Sequence, residues 1–109
     1  MKTLKFYSKL VPLILSREKT TTFRMFDDKN LTEGDVLHFV EKESGQHFGN
    51  ATIVSVVEKR LCDMIDVDLD GHEKYESREK MYEEYRNIYG DRVTPEAMVK
   101  IVKFMFSRA

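Results

Sequence analysis

The stretch Thr20-Thr21-Thr22-Phe23-Arg24-Met25-Phe26 decides the fold that this sequence predicts. It is rich in β-branched and aromatic residues and has no helical period, which is typical of a β-strand. Because side chains alternate along a strand, Phe23 and Met25 are expected to enter a core, while Thr22 and Arg24 face outward. The stretch therefore predicts a strand with one core face and one face available for function.

Further strands are predicted on both sides of this stretch. The first is a short strand over Leu4–Tyr7, and the runs Val36–Val40 and Phe48–Val57 are joined by Ser44-Gly45 as two antiparallel strands. A final strand over Met98–Phe106 has apolar residues on both faces, which places it centrally in a sheet. Strands that outnumber helices favour an α+β fold, a small antiparallel β-barrel with helices on its flank.

Two helices are predicted on that flank. Ser8 is a candidate N-cap for a short helix, because Pro12 is tolerated only in a first turn. Ser77 is the candidate N-cap of a longer helix that ends at Gly90. A stripe of side chains at helical spacing is expected to face the core: Met81, Tyr82, Tyr85, Ile88 and Tyr89. Between the two, residues 58–70 predict a short helix followed by an acidic loop.

Length and composition predict one domain over residues 1–109. The chain is 41% hydrophobic and 34% charged with a net charge of -1, and its few Gly and Pro residues argue against disorder. The longest apolar run near the N-terminus, Leu10–Leu15, is too short for a membrane span or a signal peptide, so a cytoplasmic protein is expected. Cys62 is the only cysteine; it predicts a small buried side chain and neither an intramolecular disulfide nor a disulfide-linked partner.

The charges are distributed unevenly along the chain. Residues 1–24 contain six basic residues and one acidic residue, whereas residues 63–84 contain nine acidic and three basic ones. The basic segment could contact phosphate or face the acidic segment in the fold, but a mixed solvated surface is the favoured interpretation. Strong net basicity, which is common in proteins that bind nucleic acid mainly through phosphates, is absent.

No metal or other cofactor is predicted. Asp66–Gly71 matches the first half of a calcium loop, but the twelfth position is Ser77, which cannot supply the bidentate carboxylate. The loop is therefore expected to be solvated. His38, His47 and His72 have no metal-ligand spacing and are expected to be structural or to lie at the surface.

The candidate chemistry lies in Lys19-Thr20-Thr21-Thr22-Phe23-Arg24. Lys19 lies where the short helix ends, so its side chain can return over Thr22. A threonine hydroxyl becomes a nucleophile when a base takes its proton, and a partly buried lysine with a lowered pKa can be that base. The Arg24 guanidinium suits a carboxylate, phosphate or carbonyl group. On spacing alone, an ordinary helix-to-strand junction is the favoured interpretation.

Over most of its length the sequence resembles the ASCH domain. The resemblance rests on the segment from Ser16 to Arg24, the turn Glu33-Gly34-Asp35-Val36-Leu37, an acidic segment before a helix that ends at Tyr89, and the strand Lys100-Ile101-Val102-Lys103-Phe104. ASCH domains are similar in fold to PUA domains, small pseudo-barrels associated with RNA binding and RNA modification. The resemblance therefore implies a PUA-like barrel with a nucleoside or RNA as partner.

One branch of that family, the bacterial N4-acetylcytidine amidohydrolases, resembles this chain in length. Its K-x-x-T-x-R pattern implies Lys19 as activating base, Thr22 as nucleophile and Arg24 as a substrate contact, without a metal. The family's acid matches Glu73 best, with Glu76 as the rival, and both Glu76 and Tyr75 are candidate substrate contacts. Two alternatives remain: a non-catalytic RNA-binding module in RNA metabolism or translation-related regulation, and a protein-interaction domain.

Overall fold

A computed structural model describes residues 1–109. Its helices are α1 (Val11–Leu15) and α2 (Arg78–Tyr89), and its strands are β1 (Lys2–Phe6), β2 (Thr21–Met25), β3 (Val36–Glu41), β4 (His47–Arg60) and β5 (Met98–Arg108). Short 3-10 turns cover Ser8–Leu10, Leu61–Asp63, Asp66–Leu69 and Gly90–Arg92. Neither helix is long and apolar enough to cross a bilayer.

The five strands form one curled sheet in the order β1-β3-β4-β5-β2. The α+β, PUA-like fold is thus confirmed, but the sheet is mixed, because β1 pairs with β3 in parallel and the other pairs are antiparallel. The parallel pair arises because the chain passes through α1 and β2 before it returns to β3. The curl brings the two edge strands together, and Arg24 Nη2 in β2 donates to the Lys5 carbonyl in β1 over 3.1 Å.

β5 separates two apolar clusters. The barrel cluster consists of Leu4, Phe6, Ile14, Leu31, Leu37, Phe39, Ala51, Ile53, Val102, Phe104 and Phe106. The helix cluster, between the sheet and α2, consists of Phe23, Met25, Leu61, Met64, Met81, Tyr85, Val93, Val99 and Ile101. The central position of β5 and the inward direction of Phe23 and Met25 are therefore confirmed. Met105 is 71% exposed, because the helix cluster covers only the first half of that face of β5.

One predicted helix cap is confirmed and the other is wrong. The Ser77 hydroxyl accepts a hydrogen bond from the Lys80 amide over 3.2 Å at the start of α2. Ser8 instead begins a 3-10 turn, and its hydroxyl donates to Glu43 over 2.7 Å. That carboxylate also accepts from the Ser8 amide, so a distant side chain has replaced the local cap.

The segment before α2 forms two 3-10 turns rather than the predicted helix and solvated loop. Cys62 is exposed, contrary to the expected burial, because Leu61 occupies the inward position of the first turn. Asp68 is buried, and its carboxylate accepts from Lys59 Nζ over 2.9 Å and from the Ile65 amide over 2.8 Å. An internal ion pair therefore holds this acidic segment.

Gly71 attaches the same segment to β2. Its carbonyl accepts from the Thr20 amide over 2.7 Å and from the Thr21 amide over 2.9 Å. The Thr21 hydroxyl donates to the Asp70 carbonyl over 2.8 Å. Gly71 has a φ of +78°, and a Cβ at this position would overlap Thr20 Oγ1. Only glycine fits here, and the contact places residues 72–75 beside the candidate strand.

Candidate functional site

A cleft of about 260 Å³ lies between the curled sheet and α2. β1, β2, the segment after Gly71 and one face of α2 all contribute to its walls. Its lining residues are Lys5, Phe6, Tyr7, Leu10, Lys19, Thr22, Phe23, Arg24, Lys42, His72, Glu73, Tyr75, Glu84, Tyr85, Ile88 and Tyr89. Five of the six residues singled out by the sequence therefore line one concave surface.

Lys19 and Glu73 form a buried ion pair in this cleft. Lys19 is 2% exposed, and its Nζ lies 2.5 Å from Glu73 Oε1 and donates to the Thr21 carbonyl over 2.8 Å. Burial, which outweighs the attraction of Glu73, lowers the pKa of Lys19. Burial alone would raise the pKa of Glu73, but the hydrogen bond from His72 and the charge of Lys19 outweigh it and lower this pKa to about 2. Glu73 is therefore an ionised carboxylate at neutral pH.

His72 holds Glu73 in position, a role that the sequence did not indicate. Its buried ring stacks on Phe23 with 3.9 Å between centroids. Its Nδ1 lies 2.9 Å from Glu73 Oε1 and 2.7 Å from the Glu73 carbonyl, so a proton on Nδ1 serves both acceptors. The only sequence signal for this role was that His72 and Glu73 are adjacent in the chain. That adjacency indicates a role in the site only once the attachment of the segment to β2 at Gly71 is known.

Thr22 lies in the cleft wall but is not the outward-facing residue that alternation predicted. It is 4% exposed, because the curled sheet and the segment after Gly71 cover its face of β2. Its hydroxyl makes no hydrogen bond to another protein group, and Lys19 Nζ is bonded to Thr21 and Glu73 instead. The structure thus brings Thr22 into the cleft with Lys19 without a direct hydrogen bond between them.

Arg24 places a cation in the cleft without a carboxylate partner. Its guanidinium carbon lies 4.8 Å from the Phe6 ring centroid, and its single hydrogen bond goes to the Lys5 carbonyl. The Nε atom is buried and has no partner. Burial lowers the pKa of Arg24 from its usual value, although a guanidinium stays charged at physiological pH. Arg24, which the sequence offered as a substrate contact, therefore lies in the cleft wall.

Tyrosine rings form the wall opposite β2. Tyr75 lines the cleft as expected, and its hydroxyl donates to the Tyr85 hydroxyl over 3.3 Å. Tyr85 and Tyr89 stack with 6.3 Å between centroids. Tyr85 and Tyr89 pack in or against the helix cluster, as the stripe on α2 predicted, but together with Ile88 they also line the cleft. A sequence period identifies the face of a helix but not whether that face borders a core or a cavity.

Glu76 lies outside the cleft. It is exposed and borders a separate, shallow depression beside the first turns of α2, together with Lys80 and Glu83. The structure therefore places Glu73, and not Glu76, in contact with Lys19. Lys74 is exposed beside Glu76 and does not line the cleft.

No group of three His, Cys, Asp or Glu side chains is arranged to hold a metal ion. His38 and His47 lie on β3 and β4, away from the cleft, with 4.6 Å between their ring centroids. His47 Nε2 is 2.8 Å from Asn50 Oδ1. His47 is exposed and His38 is half-buried, so both fit the expectation of a structural or surface histidine.

No protein-family model and no curated protein matches the sequence, whereas solved structures match its fold. Protein EF3133 from Enterococcus faecalis, assigned to family DUF984, has a TM-score of 0.76 and 13% identity over 99% of this chain and 81% of its own. The hypothetical protein PH0355 has a TM-score of 0.75 and 18% identity over 98% and 100%. An ASCH domain from Lactobacillus crispatus has a TM-score of 0.75 and 14% identity over 99% and 81%. The chain therefore has the fold of ASCH domains.

Proposed function

We propose that this protein binds an acylated cytidine in the cleft and hydrolyses its N4 amide without a metal. The observation that carries the proposal is the buried contact between Lys19 and Glu73 in a cleft that Thr22 also lines. These residues match the pattern of the amidohydrolase branch that the sequence resembles. Arg24 and Tyr75 are the substrate contacts in this proposal.

The reaction begins with a proton shift within the ion pair. One proton that moves from Lys19 to Glu73 creates both forms that the chemistry needs, a neutral amine and a carboxylic acid. A ligand that displaces water from the cleft favours this neutral pair, because burial penalises the two charged forms. Lys19 Nζ then exchanges the Thr21 carbonyl for the hydroxyl of the next residue, Thr22.

The amide is then cleaved in two stages. Lys19 takes the proton of Thr22 Oγ1, the oxygen attacks the acyl carbon, and Glu73 donates its proton to the departing N4 nitrogen, leaving an acyl ester on Thr22. Glu73 next accepts a proton from water, whose oxygen attacks the ester, and Lys19 returns its proton to Thr22 Oγ1. The products are the free carboxylic acid and cytidine. Lys19 and Glu73 are then left as the neutral pair, and return of the proton from Glu73 to Lys19 restores the resting ion pair.

The tyrosine wall holds the base in this scheme. Aromatic rings stack on nucleobases, and Tyr75, Tyr85 and Tyr89 offer such rings opposite Thr22. Burial raises the pKa of Tyr75, so its hydroxyl stays a neutral hydrogen-bond donor at physiological pH. These contacts orient the ligand without taking part in proton transfer.

A second function, non-catalytic binding of an RNA base, is favoured by the resting geometry of Lys19. Its ammonium donates to Thr21 and Glu73, and the Thr22 hydroxyl has no base beside it. In this alternative, the cleft residues are ligand contacts and no proton shift occurs. The two functions differ in whether Thr22 is needed for turnover or only for affinity.

Chromatographic measurement of N4-acetylcytidine hydrolysis separates the two functions. We expect the parent protein to release cytidine and Thr22→Ala to lower the rate by at least about 100-fold, because the nucleophile is lost. Thr52→Ala, at an exposed position on β4, is the matched control and should retain the parent rate. An inactive parent, or a Thr22→Ala variant with the parent rate, would overturn the hydrolase. Salt-dependent RNA binding by these proteins would then support the alternative.

A further inference from the structure

The charged side chains that line the cleft fall into two groups, which we call the acidic end and the basic end. Glu73 and Glu84 lie near Lys19, where the proposed chemistry takes place. Lys5, Arg24 and Lys42 are the other cations that line the cleft. The proposed reaction uses the first group and leaves the second without an assigned role beyond a general substrate contact.

The basic end is short of anionic partners. Some cations elsewhere are paired with carboxylates, as in the ion pairs of Lys2 with Asp35 and Lys100 with Asp27. None of the three cations at the basic end has a carboxylate within 4.0 Å. Arg24 uses one of its five N–H groups, and its buried Nε has no partner at all. The charge there is therefore available to an incoming anion.

The end of β1 brings these cations together. Arg24 donates to the Lys5 carbonyl and lies over the Phe6 ring. The Lys42 amide donates to the Phe6 carbonyl over 2.8 Å, and its Nζ lies 4.7 Å from the Tyr7 ring centroid. Lys5 and Lys42 are exposed while Arg24 is half-buried, so two flexible ammonium groups lie at the cleft mouth around a fixed guanidinium.

We propose that this basic end binds a phosphate group of the ligand, so that the preferred ligand is a nucleotide rather than a free nucleoside. A guanidinium binds two phosphate oxygens in one plane, and ammonium groups add point charges without a demand on direction. The base then occupies the acidic end and the sugar lies between. This inference rests on the proposed function, because it deepens the ligand class of the same cleft.

Calorimetric titration of the intact protein with unacylated ligands tests the inference without turnover. The probes are cytidine, its 5′- and 3′-monophosphates, and a short oligocytidine RNA. We expect at least one monophosphate to bind about 10-fold or more tightly than cytidine, with an advantage that shrinks as salt is added. The Lys5→Gln/Lys42→Gln variant should lose this advantage. The matched control Lys29→Gln/Lys103→Gln changes two exposed lysines outside the cleft and should keep it.

The possible results of the titration distinguish the phosphate site from the proposed reaction. Equal affinities for cytidine and both monophosphates, or an advantage that survives Lys5→Gln/Lys42→Gln, would overturn the phosphate site even if N4-acetylcytidine is hydrolysed. A phosphate-dependent advantage without hydrolysis would support the site and overturn only the proposed reaction. Where a monophosphate has the expected advantage over cytidine, an oligocytidine that binds more tightly still, and loses this in the double variant, would support the site and identify an RNA backbone as the source of the phosphate.

Discussion

The barrel cluster and the contact between β2 and the segment after Gly71 are both buried, but they have opposite chemistry. The barrel cluster contains only apolar side chains. Four of the five buried polar residues, Lys19, Thr21, Thr22 and His72, lie at the contact, which we call the polar seam. An apolar cluster is stabilised by area and fit, whereas a polar seam depends on the matching of each donor and charge. Although the two regions are equally buried, we therefore expect the same substitution to lower the free energy of unfolding more in the polar seam than in the barrel cluster.

The largest effect is expected from Lys19→Met, which keeps much of the side-chain shape but leaves Glu73 as an uncompensated charge. The free energy of unfolding should fall by about 3–5 kcal/mol, the usual cost of breaking a buried ion pair. Urea denaturation measures this loss. Adding Glu73→Gln should recover part of it, because the unpaired charge is then gone. A double variant that is as unstable as the sum of the single variants would show that the two charges are not coupled.

A similar effect is expected from pH through Glu73 in the polar seam. The pKa of Glu73 is about 2 in the folded protein and about 4.5 in the unfolded chain, so its contribution is complete above the unfolded pKa. As the pH falls from about 5 to about 2, the free energy of unfolding should lose about 3 kcal/mol through this group.

Urea denaturation across that pH range checks this expectation. Glu73→Gln should remove the part of the pH-dependent loss in the free energy of unfolding that is assigned to Glu73. Glu76→Gln, at an exposed position, should leave that loss unchanged. Parallel curves for the parent and Glu73→Gln would contradict the assigned ion pair. The low pKa values of other carboxyl groups, such as Asp27 and Asp68, contribute equally to the parent and to both variants and so cancel in the comparison.

The smallest effect is expected from Leu37→Met in the barrel cluster, which introduces the same residue as Lys19→Met. Leu37 is 0% exposed, so the two positions are equally buried. A volume-conserving apolar change should cost less than about 1.5 kcal/mol. The same denaturation measurement serves both variants, and a cost for Leu37→Met equal to that of Lys19→Met would remove the distinction between the two regions.

Local patterns were sufficient to predict the five strands, the two helices and one of the two helix caps, but not the 3-10 turns before α2. The β-branched run identified β2, and the helical period with Ser77 identified α2. They were not sufficient for features set by distant contacts. The Ser8 hydroxyl is bonded to Glu43, and the parallel pairing of β1 with β3 depends on where the chain returns, which no local signal determines.

The candidate site was also predicted only in part from local patterns. Alternation correctly predicted that Phe23 and Met25 point toward the core. It could not show that the opposite face of β2 is also covered, so the prediction that Thr22 is exposed was wrong. The choice between Glu73 and Glu76 needed the fold, because only the attachment at Gly71 brings one of them to Lys19. The role of His72 follows from the same attachment and had no separate sequence signal.

The attachment at Gly71 has a consequence for how such a site can diverge between related proteins. Its two hydrogen bonds run from backbone amides to a backbone carbonyl, so they survive side-chain changes in the segment that follows. Only position 71 itself is restricted, because any Cβ would overlap Thr20. Exposed neighbours such as Lys74 and Glu76 are therefore free to drift without detaching Glu73. Because the attachment is made by backbone atoms, related proteins can keep the fold at this point while the side chains that set specificity change.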